Sequence, residues 1–92
     1  MFINTDDKLI WKNGSFEKWD ESSVHVLSHT LHYGTGVFEG VRAYNTEKGP
    51  AIFRLNEHTK RLFDAASKIS IKIPFTEEEL KKAQCECFCL LY

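Results

Sequence analysis

"GVFEGVRAYNTEKGPAIFRLNEHTKRLFDAASKI", residues 36–69, changes period partway along, and that change decides the fold. "GVFEGVRAYN" (36–45) is rich in β-branched and aromatic side chains and reads as a strand. "NTEKGP" (45–50) reads as a turn punctuated by Gly49-Pro50, and "AIFRL" (51–55) as the returning strand of a hairpin. From there Leu55, Leu62, Ala66 and Ile69 recur at helical spacing, with Thr59 filling one gap in the stripe. Glu57, Lys60 and Lys68 fall largely on the opposite side.

Working outward, "KLIWKNGSFEKW" (8–19) reads as an earlier hairpin around Asn13-Gly14, a strong two-residue turn signal. "DESSVHVLSH" (20–29) reads as a loop or short extended piece. "IPFTEEELKKA" (73–83) starts a second helix, with Thr76 as N-cap and Glu79 completing a capping box. Pro74 keeps the two helices apart. The order is β-β-loop-β-β-α-α, with no internal repeat and no low-complexity linker. It predicts an α+β domain, a mostly antiparallel sheet with helices packed on one side.

The 92 residues suffice for one small domain, here taken as 1–92. A net charge of −1 gives no electrostatic reason to expect nucleic acid or an anionic membrane as partner. "MFINTDDKLI" lacks a basic n-region followed by an apolar stretch, and no apolar run approaches the roughly 18 residues of a membrane span. A cytoplasmic protein is the expectation. Cys85, Cys87 and Cys89 form an odd, clustered set, unlike a disulfide framework, and their spacing suits zinc poorly. On a helix they would fan onto different faces, and they are expected to carry no function. Seven of the eight residues in "CECFCLLY" (85–92) are apolar, without the polar face that the helix begins with. This end is expected to be an aberrant or truncated piece of something longer.

Three readings compete for "HTLHYGTGVFEG" (29–40). The first is a metal site. His25, His29 and His32 would share a face on a continuous helix, but "VHV" alternates and prefers an extended form. No placed carboxylate completes a ligand set, and histidines bonded to backbone groups are the favoured reading. The second is a phosphate loop. Gly34, Gly36 and Gly40 fall one residue off the dinucleotide fingerprint, and a strand follows them where a helix is needed. The third is a pocket wall. Alternation puts Val37, Glu39, Val41 and Ala43 on one, mostly apolar, core face. The other face carries Gly36, Phe38, Gly40, Arg42 and Tyr44. Glycine within a strand often marks a close approach. The glycine face is therefore either a shallow hollow, walled by Phe38 with Arg42 able to grip a carboxylate, or a bulged strand admitting a neighbouring element. Arg61, one position before Leu62, is either a surface arginine packing its stem on the sheet or an anion ligand facing the same hollow.

"VHVLSHTLHYGTGVFEGVRAY" followed by "FRLNEHTKRLFDAA" resembles the N-terminal domain of the branched-chain amino acid aminotransferases, fold-type IV (D-amino acid aminotransferase-like) enzymes that use pyridoxal 5′-phosphate. The resemblance covers roughly residues 9–84. The "HYGTGVFEG" and "R-x-x-x-H-x-x-R-L" elements favour the branched-chain members over D-amino acid aminotransferases and aminodeoxychorismate lyases. The resemblance implies that Arg61 holds the cofactor phosphate. It implies that Phe38, Gly40 and Arg42 line the substrate pocket, and that Tyr33 reaches the other subunit's pocket in a homodimer. It further implies transfer of an amino group from leucine, isoleucine or valine to 2-oxoglutarate, in branched-chain amino acid biosynthesis. The family's Schiff-base lysine lies in a second, larger domain, and none of the lysines at 8, 12, 18, 48, 60, 68, 72, 81 and 82 matches it. These residues alone are therefore expected not to transaminate. The competing expectation is a non-catalytic α+β module that binds a carboxylate or docks on a partner.

Overall fold

A computed structural model of the chain describes residues 8–91. The first residues of the segment read above for a targeting signal (1–7), and Tyr92 at the end of the apolar run, lie outside the described residues.

Strands β1 (Leu9–Lys12) and β2 (Ser15–Lys18) pair antiparallel, with Trp11 opposite Phe16. Their turn is Asn13-Gly14, with φ of 51° and 99°. Positive φ at both central residues matches the right-handed twist of the flanking strands, which is why Asn-Gly serves here. A 3-10 turn (Trp19–Glu21) and an irregular stretch lead to α1 (His29–Tyr33), a single short helix that the sequence reading did not anticipate. It ends where Gly34 turns left-handed at φ 65°, its N–H donating to Thr30 O.

The second hairpin pairs β3 (Ala43–Thr46) with β4 (Gly49–Ile52). Two expectations are corrected here. The strand begins at Ala43, not Gly36, because the four-residue β4 offers no partner further back; Phe53 N–H to Arg42 O at 2.8 Å is the last bond. The turn is Glu47-Lys48, and Gly49 follows it inside β4 at φ 102°. A glycine of positive φ just after a turn absorbs the bulge that a non-primed turn creates. The Thr46 hydroxyl holds the turn, donating to Gly49 O at 2.6 Å and accepting from Lys48 N–H at 3.2 Å. The two hairpins remain separate two-stranded sheets among the described residues.

Helix α2 (Leu55–Lys68) follows the predicted stripe: Thr59 and Ala66 are buried, and Leu55 and Leu62 half-buried. Ile69 lies past the helix end and is exposed. Thr76 caps α3 (Glu77–Leu91), accepting from Glu79 N–H at 3.1 Å and donating to Glu79 Oε1 at 3.2 Å. α3 continues through Gln84 without a break and carries the three cysteines on two sides. Cys85, Phe88 and Cys89 line a groove of about 310 Å³ with Pro50, Ile52 and Leu55. Cys87 turns the other way, towards Trp11. Helices α2 and α3 pack on each other, and Ala66 and Thr59 of α2 and Ala83 of α3 are buried, side chains small enough for near approach. Phe75 stacks edge-on against Trp11 at 5.1 Å and ties the α2–α3 connection to the first hairpin. The architecture is α+β: antiparallel hairpins with helices packed against them.

Candidate functional site

Residues 37–42 carry no ladder, and exposure from Val37 to Ala43 alternates as the sequence implies. Val37, Glu39, Val41 and Ala43 are half-buried, while Phe38, Gly40 and Arg42 face solvent. Glu39 is an acid on an otherwise apolar inward register, and such a group needs partners when water is withdrawn. Its side chain keeps only 9% of its exposure.

The partners come from α2, which lies alongside. His58 and Arg61 sit three residues apart, on one side of the helix. His58 Nδ1 meets Glu39 Oε1 at 2.8 Å. Arg61 grips the same carboxylate with a fork, Nε–H to Oε2 at 3.0 Å and Nη2–H to Oε1 at 2.7 Å. The hydrogen bond with His58, then that with Arg61, holds the Glu39 carboxyl below the ordinary carboxylate value, against the opposing effect of its burial. Behind Glu39 lies a mainly apolar cavity of about 330 Å³, bordered also by Trp11, Val41, Leu62, Leu80 and Cys87.

Arg61 remains 73% exposed. A guanidinium has five N–H donors, and Glu39 takes two, along the side-on edge. The three on Nη1 and the outer side of Nη2 have no partner among the described residues. That open edge suits a phosphate or carboxylate.

The other residues singled out from sequence divide into two groups. Phe38 and Gly40 flank Glu39 in sequence but lie on the solvent-facing register, opposite to its side chain. Phe38 is 91% exposed, and a side chain placed on Gly40 would meet nothing within 4 Å, so the glycine face is an open surface here. Gly36 differs, since a Cβ there would stand 3.4 Å from the Thr30 hydroxyl. Tyr33 closes α1 and packs edge-on against His29 at 5.5 Å. No hydrogen bond or ion pair joins the Tyr33 or Arg42 side chain to Arg61 among the described residues. His25 Nδ1 accepts from Leu27 N–H at 3.0 Å, a backbone partner of the kind expected for these histidines. The hub itself, Glu39 with His58, was not singled out from sequence. The available signal was an acid at an inward position, facing a helix whose border carries a histidine and an arginine.

An inward acid that grips an exposed arginine thus sits on an α+β frame of hairpins and helices. The chain belongs to the class IV amino-transferase family, whose profile matches residues 36–89. It is 53% identical over 83 residues to the branched-chain-amino-acid aminotransferase of Pseudomonas aeruginosa, covering 90% of this chain and 27% of that protein. The Escherichia coli K12 enzyme of the same name is 47% identical over 74 residues, covering 80% and 24%. Among solved structures, the branched-chain aminotransferase of Thermoproteus uzoniensis with norvaline matches with TM-score 0.85 and 41% identity, over 90% of this chain and 28% of that one. A branched-chain amino acid aminotransferase of T.th., complexed with N-(5′-phosphopyridoxyl)-L-glutamate, matches with TM-score 0.81 and 58% identity, over 83% and 26%. The chain thus spans about a quarter of the length of these relatives and aligns with their N-terminal part.

Proposed function

We propose that this chain supplies the small domain of a pyridoxal 5′-phosphate-dependent branched-chain amino acid aminotransferase, with Arg61 as its phosphate ligand. The observation that carries the reading is the Arg61 guanidinium, anchored along one edge and open along the other. An oxyanion with two coplanar acceptors fits that edge. The names of the relatives and the phosphopyridoxyl ligand of one of them support the substrate and the cofactor.

In this reading the cofactor, when bound, supplies the electron sink that makes amino-group transfer possible. The residues of this chain bind and orient. Arg61 fixes the phosphate end. Phe38 and Gly40 form the substrate side of the wall, the glycine leaving room for the substrate beside the phenyl ring, and Arg42 offers a cation to a carboxylate. Tyr33, exposed on α1, serves the pocket of a second copy in a homodimer. The substrates are leucine, isoleucine or valine with 2-oxoglutarate, in cytoplasmic branched-chain amino acid biosynthesis. No lysine of residues 1–92 matches the catalytic one of the family, so these residues alone bind but do not transaminate.

The test has two arms. The purified chain with pyridoxal 5′-phosphate, leucine and 2-oxoglutarate is expected to form no glutamate above a blank. Mixed with the remaining portion of the Pseudomonas aeruginosa relative, it is expected to form glutamate from leucine and not from D-alanine. Glutamate from the chain alone, or preference for the D-substrate in the mixture, overturns the reading.

A further inference from the structure

We propose that Glu39 is the positioning residue for Arg61: it holds the side-on edge of the guanidinium so that the end-on edge is presented to the phosphate of the cofactor. The inference rests on the phosphate reading of Arg61 given above.

Three observations carry it. First, the pair is asymmetric. Glu39 keeps 9% of its exposure and Arg61 keeps 73%. The acid is the fixed element, set inward between Val37 and Val41, and the arginine reaches out from α2 to it. Second, the contact is a fork, with both carboxylate oxygens engaged at 3.0 and 2.7 Å. A fork fixes the plane of the guanidinium as well as its position, which a single hydrogen bond does not. Third, Glu39 is itself pinned, because His58 occupies Oε1 at 2.8 Å from the same helix that carries Arg61. The carboxylate cannot rotate away without losing both partners.

A free arginine on a helix surface has a long, flexible stem, and freezing it when a ligand arrives lowers affinity. Glu39 freezes it beforehand. The carboxylate also works the other way, because its charge weakens the pull of Arg61 on an anion. Positioning and charge therefore predict opposite outcomes when the acid is removed, and the sign decides between them.

The probe is 4-deoxypyridoxine 5′-phosphate, compared with 4-deoxypyridoxine. Neither has an aldehyde, so no lysine can capture it covalently. Binding is measured by calorimetry on the purified chain and on R61A, E39L and E39Q. The E39L substitution keeps bulk on an apolar face and removes the acceptors, whereas E39Q keeps an acceptor and removes the charge. The expected result is a preference for the phosphorylated probe that disappears in R61A. It should fall about fivefold in E39L, the scale of one unfrozen side chain. In E39Q it should fall between the parent and E39L, because the amide oxygen accepts from one N–H of the arginine while its NH2 cannot accept from the other. A second readout needs no ligand. Nitrogen-15 relaxation of the Arg61 Nε–H should give an order parameter near about 0.8 in the parent and below about 0.6 in E39L.

Equal or tighter binding of the phosphorylated probe by E39L overturns the role of Glu39 while leaving the phosphate reading intact. So does an Arg61 Nε–H as mobile in the parent as in E39L. A parent chain without preference for the phosphorylated probe, or an R61A variant that keeps it, overturns the phosphate reading and the role of Glu39 with it.

Discussion

Glu39 and His58 meet at 2.8 Å across the gap between the segment that precedes β3 and helix α2. The hydrogen bond with His58, followed by that with Arg61, lowers the Glu39 pKa from an ordinary value of 4.5. A depressed carboxylate binds its proton less readily folded than unfolded. Its contribution to stability is therefore present above the unfolded value and is lost as pH falls through the folded one. Urea unfolding of the parent chain and of E39Q, compared between about pH 5 and pH 3, should show the parent losing its advantage across that interval. Parallel curves would mean that the contacts do not favour the charged form.

A second cross-element contact sits where the helices touch. Gln84 Nε2 donates to the Thr59 hydroxyl at 3.0 Å and to Leu80 O at 3.1 Å, and Thr59 is 2% exposed. Replacing Thr59 by valine keeps the volume and deletes one acceptor, at an expected cost of about 1 kcal/mol. Adding Gln84→Met removes the donor as well, so the double variant should recover part of that loss. A double-mutant cycle in urea measures the coupling; strict additivity would show that the two side chains do not interact.

Features set by neighbours in sequence were legible beforehand. Asn13-Gly14 demanded a primed turn, the 55–69 stripe demanded an amphipathic helix, and Thr76 with Glu79 demanded a helix start. Errors fell where a distant partner decides. "GVFEGV" has strand propensity, yet β4 is too short to pair with it, so only the alternation of its side chains survives. Gly49 was read as part of the turn, although its positive φ is needed one step later, in the strand. Glu39 was counted with an apolar face, because alternation tells where a side chain points and not what meets it. Its partners lie 19 and 22 residues further on, a separation no local pattern reports.

Phe38 and Phe75 have opposite surroundings. Phe38 is 91% exposed, whereas Phe75 is half-buried with its ring 5.1 Å from Trp11 and also close to Gly14. Phe38→Ala should change unfolding stability by no more than about 0.5 kcal/mol, as surface substitutions do. Phe75→Ala should cost about 2 kcal/mol, less than full core truncation because the ring is only partly covered. Thermal unfolding of both variants checks the contrast. A large loss in F38A would place that ring in the core and count against the substrate-wall role proposed for it.

The cysteines of α3 should differ in reactivity although they occupy alternate positions of one continuous helix. Cys85 and Cys89 are exposed beside the groove under Pro50 and Ile52. Cys87 faces the cavity behind Glu39, and burial pushes its thiol up; a hydrogen bond with the Trp11 backbone opposes this, and the nearby Glu86 charge adds to it. The thiolate is the nucleophile, so a raised pKa and a covered sulfur slow alkylation together. Limited treatment with N-ethylmaleimide at neutral pH, read by peptide mass spectrometry, should label Cys85 and Cys89 on the order of tenfold faster than Cys87. Urea should abolish the difference. Equal rates in the native chain would mean that α3 does not hold Cys87 against the first hairpin, and the cavity behind Glu39 would lose one of its walls.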